Sequence, residues 1–300
     1  MPELNVVTGA FGYTGKYIAR RLLANGIRVK TLTGHPERPN PFGSQVVAAP
    51  FNFDDPPALI DQLSGASTLY NTYWVRFSRG EVTFDRAVEH TRTLIQAARD
   101  AGVGRIVHVS ITNPSLNSSL PYFRGKAQVE EAIVDSGMSY GIIRPTVIFG
   151  IEDILINNIA WMLRRFPIFV VPGGGGYRFQ PIFVEDLAGL AVDAGGQEDN
   201  LVLDAAGPET FTFDEFVRLV GQTMGSRTKI VHLPADLALG LSKIVGYFLG
   251  DVVLTRDEVT GLMSDLLISD APPAGKTSLT ANFATLGGSY TSELDRHYHR

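Results

Sequence analysis

The chain has 300 residues, no cysteine, 31 glycines and a formal net charge of −5. A 44% apolar and 19% charged composition describes a globular protein that builds a large core, enough for about two domains. Without cysteine there is no disulfide framework, thiol nucleophile, thiolate zinc site or iron–sulfur cluster. The acidic balance and the lack of a Lys/Arg-rich run argue against nucleic acid as a partner. No apolar stretch reaches membrane-spanning length, and the start of the chain lacks the pattern of a signal peptide. A cytoplasmic, reducing location is the expectation.

The first half alternates short β-rich runs with helix-period stretches. Strands are predicted at Leu4–Thr8, Arg28–Thr33, Ser44–Ala48, Ser67–Asn71, Arg105–Ser110 and Tyr140–Pro145. Helices are predicted from the first glycine turn to about Ala24, then over Pro56–Leu63, Phe84–Ala101 and Tyr122–Ser136. Gly26 and Gly102 stop two of these helices, because glycine adopts the left-handed cap at little cost. Such alternation implies an α/β protein with a doubly wound parallel sheet of the Rossmann kind.

The pattern changes after Gly150. Helices are predicted at Ile151–Arg165, Val184–Ala194, Thr212–Met224, Ala235–Phe248 and Thr255–Leu267, with one strand at Phe179–Phe183. This reads as a dinucleotide-binding core over 1–150 and a smaller, mostly helical lobe over 151–300, with 177–205 returning to the core. The Gly173–Gly176 run precedes a strand rather than a helix, so it reads as a flexible hairpin and not a phosphate loop. The tail from Ala271, rich in Pro, Gly, Ser and Thr, is assigned little structure.

The turn after the first strand is Gly9-Ala-Phe11-Gly12-Tyr13-Thr14-Gly15. A glycine triplet between a strand and a helix lets backbone approach a pyrophosphate while helix-start N–H groups face the anion. Gly9, Gly12 and Gly15, with Phe11, Tyr13 and Thr14 between them, are the predicted cradle for NAD or NADP. A P-loop is excluded by the spacing and by Tyr17 in place of the metal-binding hydroxyl. The second strand ends without a carboxylate at Thr33, Gly34 or His35. His35 and Arg38, with Lys16, suit a 2′-phosphate, which favours NADP over NAD.

Pro121-Tyr122-Phe-Arg-Gly-Lys126 opens the helix after the fifth strand. Tyr122 and Lys126, at i and i+4, project from one face. The ammonium favours phenolate, so the pair suits acid–base work, and the lysine can also hold a ribose. None of the six histidines forms a zincin motif, and no nucleophile elbow exists. No metal site is expected.

These motifs resemble the short-chain dehydrogenase/reductase superfamily in its extended and atypical branches. The run Tyr122-x-x-x-Lys126-x-x-x-Glu130 is similar to the active-site helix of the epimerase/dehydratase group. Arg144-Pro145-Thr-Val-Ile-Phe-Gly150 looks like the segment bordering the nicotinamide, and Gln180–Ala188 like the segment that follows. Within the superfamily the chain is most similar to NmrA-like proteins and to the nicotinamide-binding accessory subunit of respiratory complex I. The resemblance implies Tyr122 as general acid/base and Lys126 as ribose ligand. It implies Thr112 as the hydroxyl on the substrate carbonyl, with Ser110 as second choice. It also places Asn71, Thr72, Tyr73, Ser110 and Pro145 beside the dinucleotide. Tyr73 stands where the family has a small turn and is expected to narrow the site. Tyr73 and Trp74, with Phe149, Ile151 and Trp161, either line a pocket for an apolar small-molecule substrate or form a hydrophobic plug between the lobes. Two functions stand: an NAD(P)-dependent oxidoreductase or epimerase-like enzyme, and a non-catalytic sensor or accessory subunit. The second implies a partner subunit and leaves room for peripheral membrane association.

Overall fold

The computed structural model describes residues 3–76, 78, 80–249 and 255–286. In chain order the elements are β1 (Leu4–Thr8), α1 (Tyr13–Ala24), β2 (Arg28–Thr33), β3 (Val46–Pro50), α2 (Pro56–Leu63) and β4 (Thr68–Asn71). Then come α3 (Phe84–Asp100), β5 (Arg105–Val109), α4 (Pro121–Asp135), β6 (Ser139–Pro145), β7 (Val147–Phe149), α5 (Ile154–Arg165) and β8 (Ile168–Pro172). They continue with β9 (Arg178–Phe179), β10 (Pro181–Phe183), α6 (Val184–Gly195), β11 (Leu201–Ala205), β12 (Phe211–Thr212) and α7 (Phe213–Thr223). The last are β13 (Lys229–Leu233), α8 (Ala235–Leu249), α9 (Arg256–Met263) and α10 (Leu279–Leu286).

One compact unit comprises Met1–Pro145 and Val184–Ala205. Its seven strands run parallel in the order β3-β2-β1-β4-β5-β6-β11. The strand order reverses between β1 and β4, and in such sheets ligands bind outside the carboxyl ends at that switch point. The core on one face joins Leu69 of β4 and Ile106 of β5 to Leu94 of α3 and Val129 and Ile133 of α4, all buried. Strands buried on both faces explain the continuous apolar runs, for instance Val6 and Val7. Gly26 and Gly102 end α1 and α3 at φ of +76° each. Arg105 locks the amino end of β5 by donating to the Ala194 carbonyl at 2.7 Å and to the Asp199 carbonyl at 2.8 Å.

The second unit comprises Thr146–Phe183 and Ala206–Arg300. Phe149, Phe179, Phe216 and Val217 form its centre. Helices α7 and α9 begin with reciprocal capping boxes, Thr212 with Glu215 and Thr255 with Glu258. Alongside its helices it carries three two-stranded sheets, β10-β7, β12-β9 and β13-β8.

Several local expectations change. The third strand begins at Val46, because a 3₁₀ turn over Gly43–Gln45 takes up its expected start. Gly173–Gly176 is not the turn of a hairpin: β8 before it pairs in parallel with β13, while β9 after it pairs with β12. The tail forms α10, whose Leu279 and Phe283 enter the second core. Strands β7, β8 and β11–β13 are additional to the expected set. They are only two to five residues long, too short for periodicity to mark.

Candidate functional site

The loop after β1 is a close approach of backbone to backbone. Gly9, at φ +67°, receives no Cβ strain and donates its N–H to the Leu32 carbonyl at 2.7 Å. The Gly12 N–H then returns to the Gly9 carbonyl at 2.8 Å. A Cβ on Gly15 would stand 2.3 Å from that same carbonyl oxygen, so any side chain there forces the helix off the strand. Thr31 fastens the turn from β2: its hydroxyl donates to the Val7 carbonyl at 2.8 Å and accepts the Ala10 N–H at 2.9 Å. Helix α1 begins at Gly12 with no side-chain cap and no acidic residue in its first turn. Phe11, Tyr13 and Thr14 are half-buried around this turn. A bare helix start behind a cradle that side chains would fill fits a dinucleotide pyrophosphate.

At the end of β2, His35 and Arg38 share one turn, with the Arg38 N–H donating to the His35 carbonyl at 3.2 Å. His35 lies 3.4 Å from Glu37, and both are exposed.

The turn after β4 is stitched to β1 through Thr8. The Thr8 hydroxyl accepts the N–H groups of Thr72 at 2.7 Å and Tyr73 at 3.0 Å, and donates to Asn71 Oδ1 at 3.1 Å. Thr72 Oγ1 donates to the Thr8 carbonyl at 2.5 Å. The Tyr73 ring packs on Phe51 and Phe53, and its hydroxyl lies 2.8 Å from His90 Nδ1. Its side chain thus joins the aromatic group behind the β3 and β4 ends. Burial raises the pKa of that hydroxyl.

Helix α4 and the carboxyl end of β5 hold the residues expected to be catalytic, Tyr122, Lys126, Ser110 and Thr112. Lys126 is 3% exposed and donates to the Val109 carbonyl at 2.9 Å. Its ammonium lies 4.6 Å from the centre of the Trp74 ring. Burial lowers its pKa to about 7, against a raising effect from Glu130. One turn earlier, Tyr122 sets its ring edge-on to Trp74 at 5.8 Å and Phe84 at 5.6 Å. Glu130, two turns along, accepts the Ser110 hydroxyl and takes both oxygens to Arg144, with Nε at 3.1 Å from each and Nη2 at 2.5 Å from one. Ser110 is therefore committed to Glu130. Thr112 is fully buried, with its N–H on the Pro145 carbonyl at 2.9 Å.

His108 is the residue that sequence reasoning missed here. It is fully buried on β5, and its Nδ1 lies 3.1 Å from Asn71 Nδ2. Asn71 Oδ1 already accepts Thr8 and the Tyr73 N–H, so Nδ2 must donate and Nδ1 must accept. The imidazole is thus the Nε2–H tautomer. Burial, and then the nearby Lys126 charge, hold its pKa well below the usual value. A histidine inside a β-run carries no spacing signal, which is why pattern alone does not mark it.

Among the described residues no cluster of three acidic or histidine side chains could hold a metal, and no helix is long and apolar enough to cross a membrane. His297 and His299 lie outside the described residues.

Residues 9–151 match a family model described as NAD(P)H-binding. The chain carries an NAD(P)-binding Rossmann domain. It is 24% identical over 283 residues to the mitochondrial NADH dehydrogenase [ubiquinone] 1 alpha subcomplex subunit 9 of Arabidopsis thaliana, covering 88% of this chain and 70% of that protein. In fold it is similar to the NADPH-dependent quinone oxidoreductase QOR2 of Escherichia coli, crystallised with NADPH. That likeness has a TM-score of 0.76 and 21% identity, and covers 94% of this chain and 99% of the other. A nucleoside-diphosphate-sugar epimerase from Staphylococcus aureus superposes with a TM-score of 0.73 at 15% identity, over 94% and 99% of the two chains. Epimerase and reductase structures thus share this fold.

Proposed function

We propose that the chain is an NAD(P)-dependent oxidoreductase of the short-chain dehydrogenase/reductase superfamily, acting on a small, apolar carbonyl compound or quinone. The observation that carries this is Lys126. It is buried, fixed to the carboxyl end of β5 and one helical turn from Tyr122. A bound nicotinamide dinucleotide supplies or accepts the hydride. Tyr122 passes its hydroxyl proton to the substrate oxygen in reduction and recovers it in oxidation. Lys126 lies at the end of the proton path and orients the ribose. The family resemblance makes Thr112 the hydroxyl on the substrate oxygen, with Ser110, which donates to Glu130, as second choice. His35 and Arg38 at the β2 end, with no carboxylate at positions 33–35, support NADP as the preferred dinucleotide. The quinone in the name of the E. coli relative adds quinones to the candidate substrates.

The second reading is a dinucleotide-binding subunit without turnover. The likeness over most of this chain to an Arabidopsis NADH dehydrogenase subcomplex subunit favours it. So does the Trp74 ring that covers Lys126. The test supplies NADPH or NADH with a panel of quinones and aromatic aldehydes. Turnover is expected in the wild type. Tyr122→Phe should lower it by about 10²-fold or more while dinucleotide affinity stays within about twofold. Equal turnover in both proteins removes Tyr122 from the chemistry; binding without turnover on any carbonyl moves the assignment to the subunit reading.

A further inference from the structure

Trp74 follows the β4 turn, and its seat is cut into helix α4. A Cβ on Gly125 would stand 3.0 Å from Trp74 Cη2 and 3.3 Å from Cζ2, so the indole occupies space that a glycine keeps open. Its ring lies over the Lys126 ammonium at 4.6 Å, edge-on to Tyr122 at 5.8 Å and nearly parallel to Phe84 at 6.1 Å. Residues 122, 125 and 126 of one helix face therefore all meet the same side chain.

This arrangement is rich in hydrogen-bond donors and poor in acceptors. The ammonium has three N–H groups and, among the described residues, one oxygen acceptor, the Val109 carbonyl. Trp74 Nε1 is buried and makes no hydrogen bond to the described residues. The same holds for His108 Nε2, which carries its hydrogen because Asn71 fixes the tautomer. A π face satisfies an ammonium only in part, and buried donors without acceptors raise the free energy of the state that contains them. An oxygen-rich ligand at Lys126 would relieve that state.

We propose that Trp74 is a gate on Lys126: its indole covers the ammonium in the closed arrangement described here and swings aside when the hydroxyls of a bound nicotinamide nucleotide take its place. This rests on the assignment of Lys126 to the dinucleotide. Gly125 is the notch that lets the gate close. The cation–π contact makes closing favourable but leaves it weaker than a set of charge-assisted hydrogen bonds.

The chain has two tryptophans, so Trp161→Phe leaves Trp74 as its sole indole. In that background oxidised NADP and NAD are added. Trp74 emission and its quenching by acrylamide are followed, with binding measured in parallel by calorimetry. Saturable binding should come with red-shifted emission and stronger quenching. Gly125→Ala, whose methyl displaces the indole, should tighten binding about three- to tenfold. Trp74→Phe, which keeps a smaller ring, should shift affinity in the same direction. Binding that leaves Trp74 emission and quenching unchanged overturns the gate while the dinucleotide reading stands. So does binding that neither substitution tightens. Absence of binding in every variant overturns both.

Discussion

Lys126 is a buried cation whose oxygen acceptor among the described residues is a neutral carbonyl, so its protonation is coupled to folding. Its folded pKa of about 7 lies well below the unfolded value. Between about pH 7 and 10.5 the unfolded chain binds the proton and the folded chain does not, so stability rises with pH across that window. The penalty is fully present below pH 7 and amounts to something on the order of 5 kcal/mol. Lys126→Met should flatten this rise and stabilise the protein most at neutral and lower pH, measured by urea unfolding at several pH values. A variant that keeps the wild-type slope would assign it to other groups. At this scale the sequence was legible where residue type and spacing coincide. The glycine triplet is readable because a Cβ at Gly15 meets backbone. Tyr122 and Lys126 are readable because a helix repeats near four residues. The contacts of Asn71, His108 and Trp74 are not, because they depend on which strands become neighbours: Asn71 meets His108 only once β4 pairs with β5.

Element ends in this protein are set by side chains that can be read individually. Asp55 accepts the Ala58 N–H at the start of α2, and Thr83 accepts the Arg86 N–H at the start of α3. Asp153 caps α5 under harsher conditions. It is 2% exposed and accepts the Ile156 N–H at 2.6 Å and the Gly150 N–H at 3.3 Å. Burial nevertheless lifts its pKa to about 7. A carboxyl raised on folding binds more protons in the folded state. Its contribution is fully present below the unfolded pKa near 4 and is lost as pH rises toward 7. Asp153→Asn retains a capping oxygen without an ionisation to lose. Relative to the wild type it should gain stability as pH moves from 5 to 8, read as the difference in thermal midpoints. A difference that does not change with pH would show that Asp153 stays ionised at no cost. Helices were the legible elements, although α5, expected from Ile151, starts at Ile154 behind the Asp153 cap. The short strands of the second unit were not, because two residues such as Phe211–Thr212 pair only through their partner's register. The Gly173–Gly176 run misleads for a related reason. Gly175 is required by packing: a Cβ there would stand 3.1 Å from Asp214 Cβ and Val171 Cγ1 and 3.2 Å from His232 Nε2.

Across the molecule, one unit carries the dinucleotide fold and the Tyr–Lys helix, and the other has a separate aromatic core. The alternating strands and helices made the parallel sheet legible, since right-handed crossovers leave few other ways to bury those strands. The second unit's mixture of helices and small sheets has no comparable rule. Every role given to Lys126 and Tyr122 presumes a dinucleotide seated on the Gly9–Gly15 turn. The decisive measurement is a titration of the wild type and Gly15→Ala with NADPH and NADH, followed by nicotinamide fluorescence, with circular dichroism checking that both proteins are folded. A dinucleotide seated on this turn predicts saturable binding by the wild type and its loss in folded Gly15→Ala, where a methyl would stand 2.3 Å from the Gly9 carbonyl oxygen. Failure of the wild type to bind either dinucleotide, or equal binding by both proteins, would contradict it.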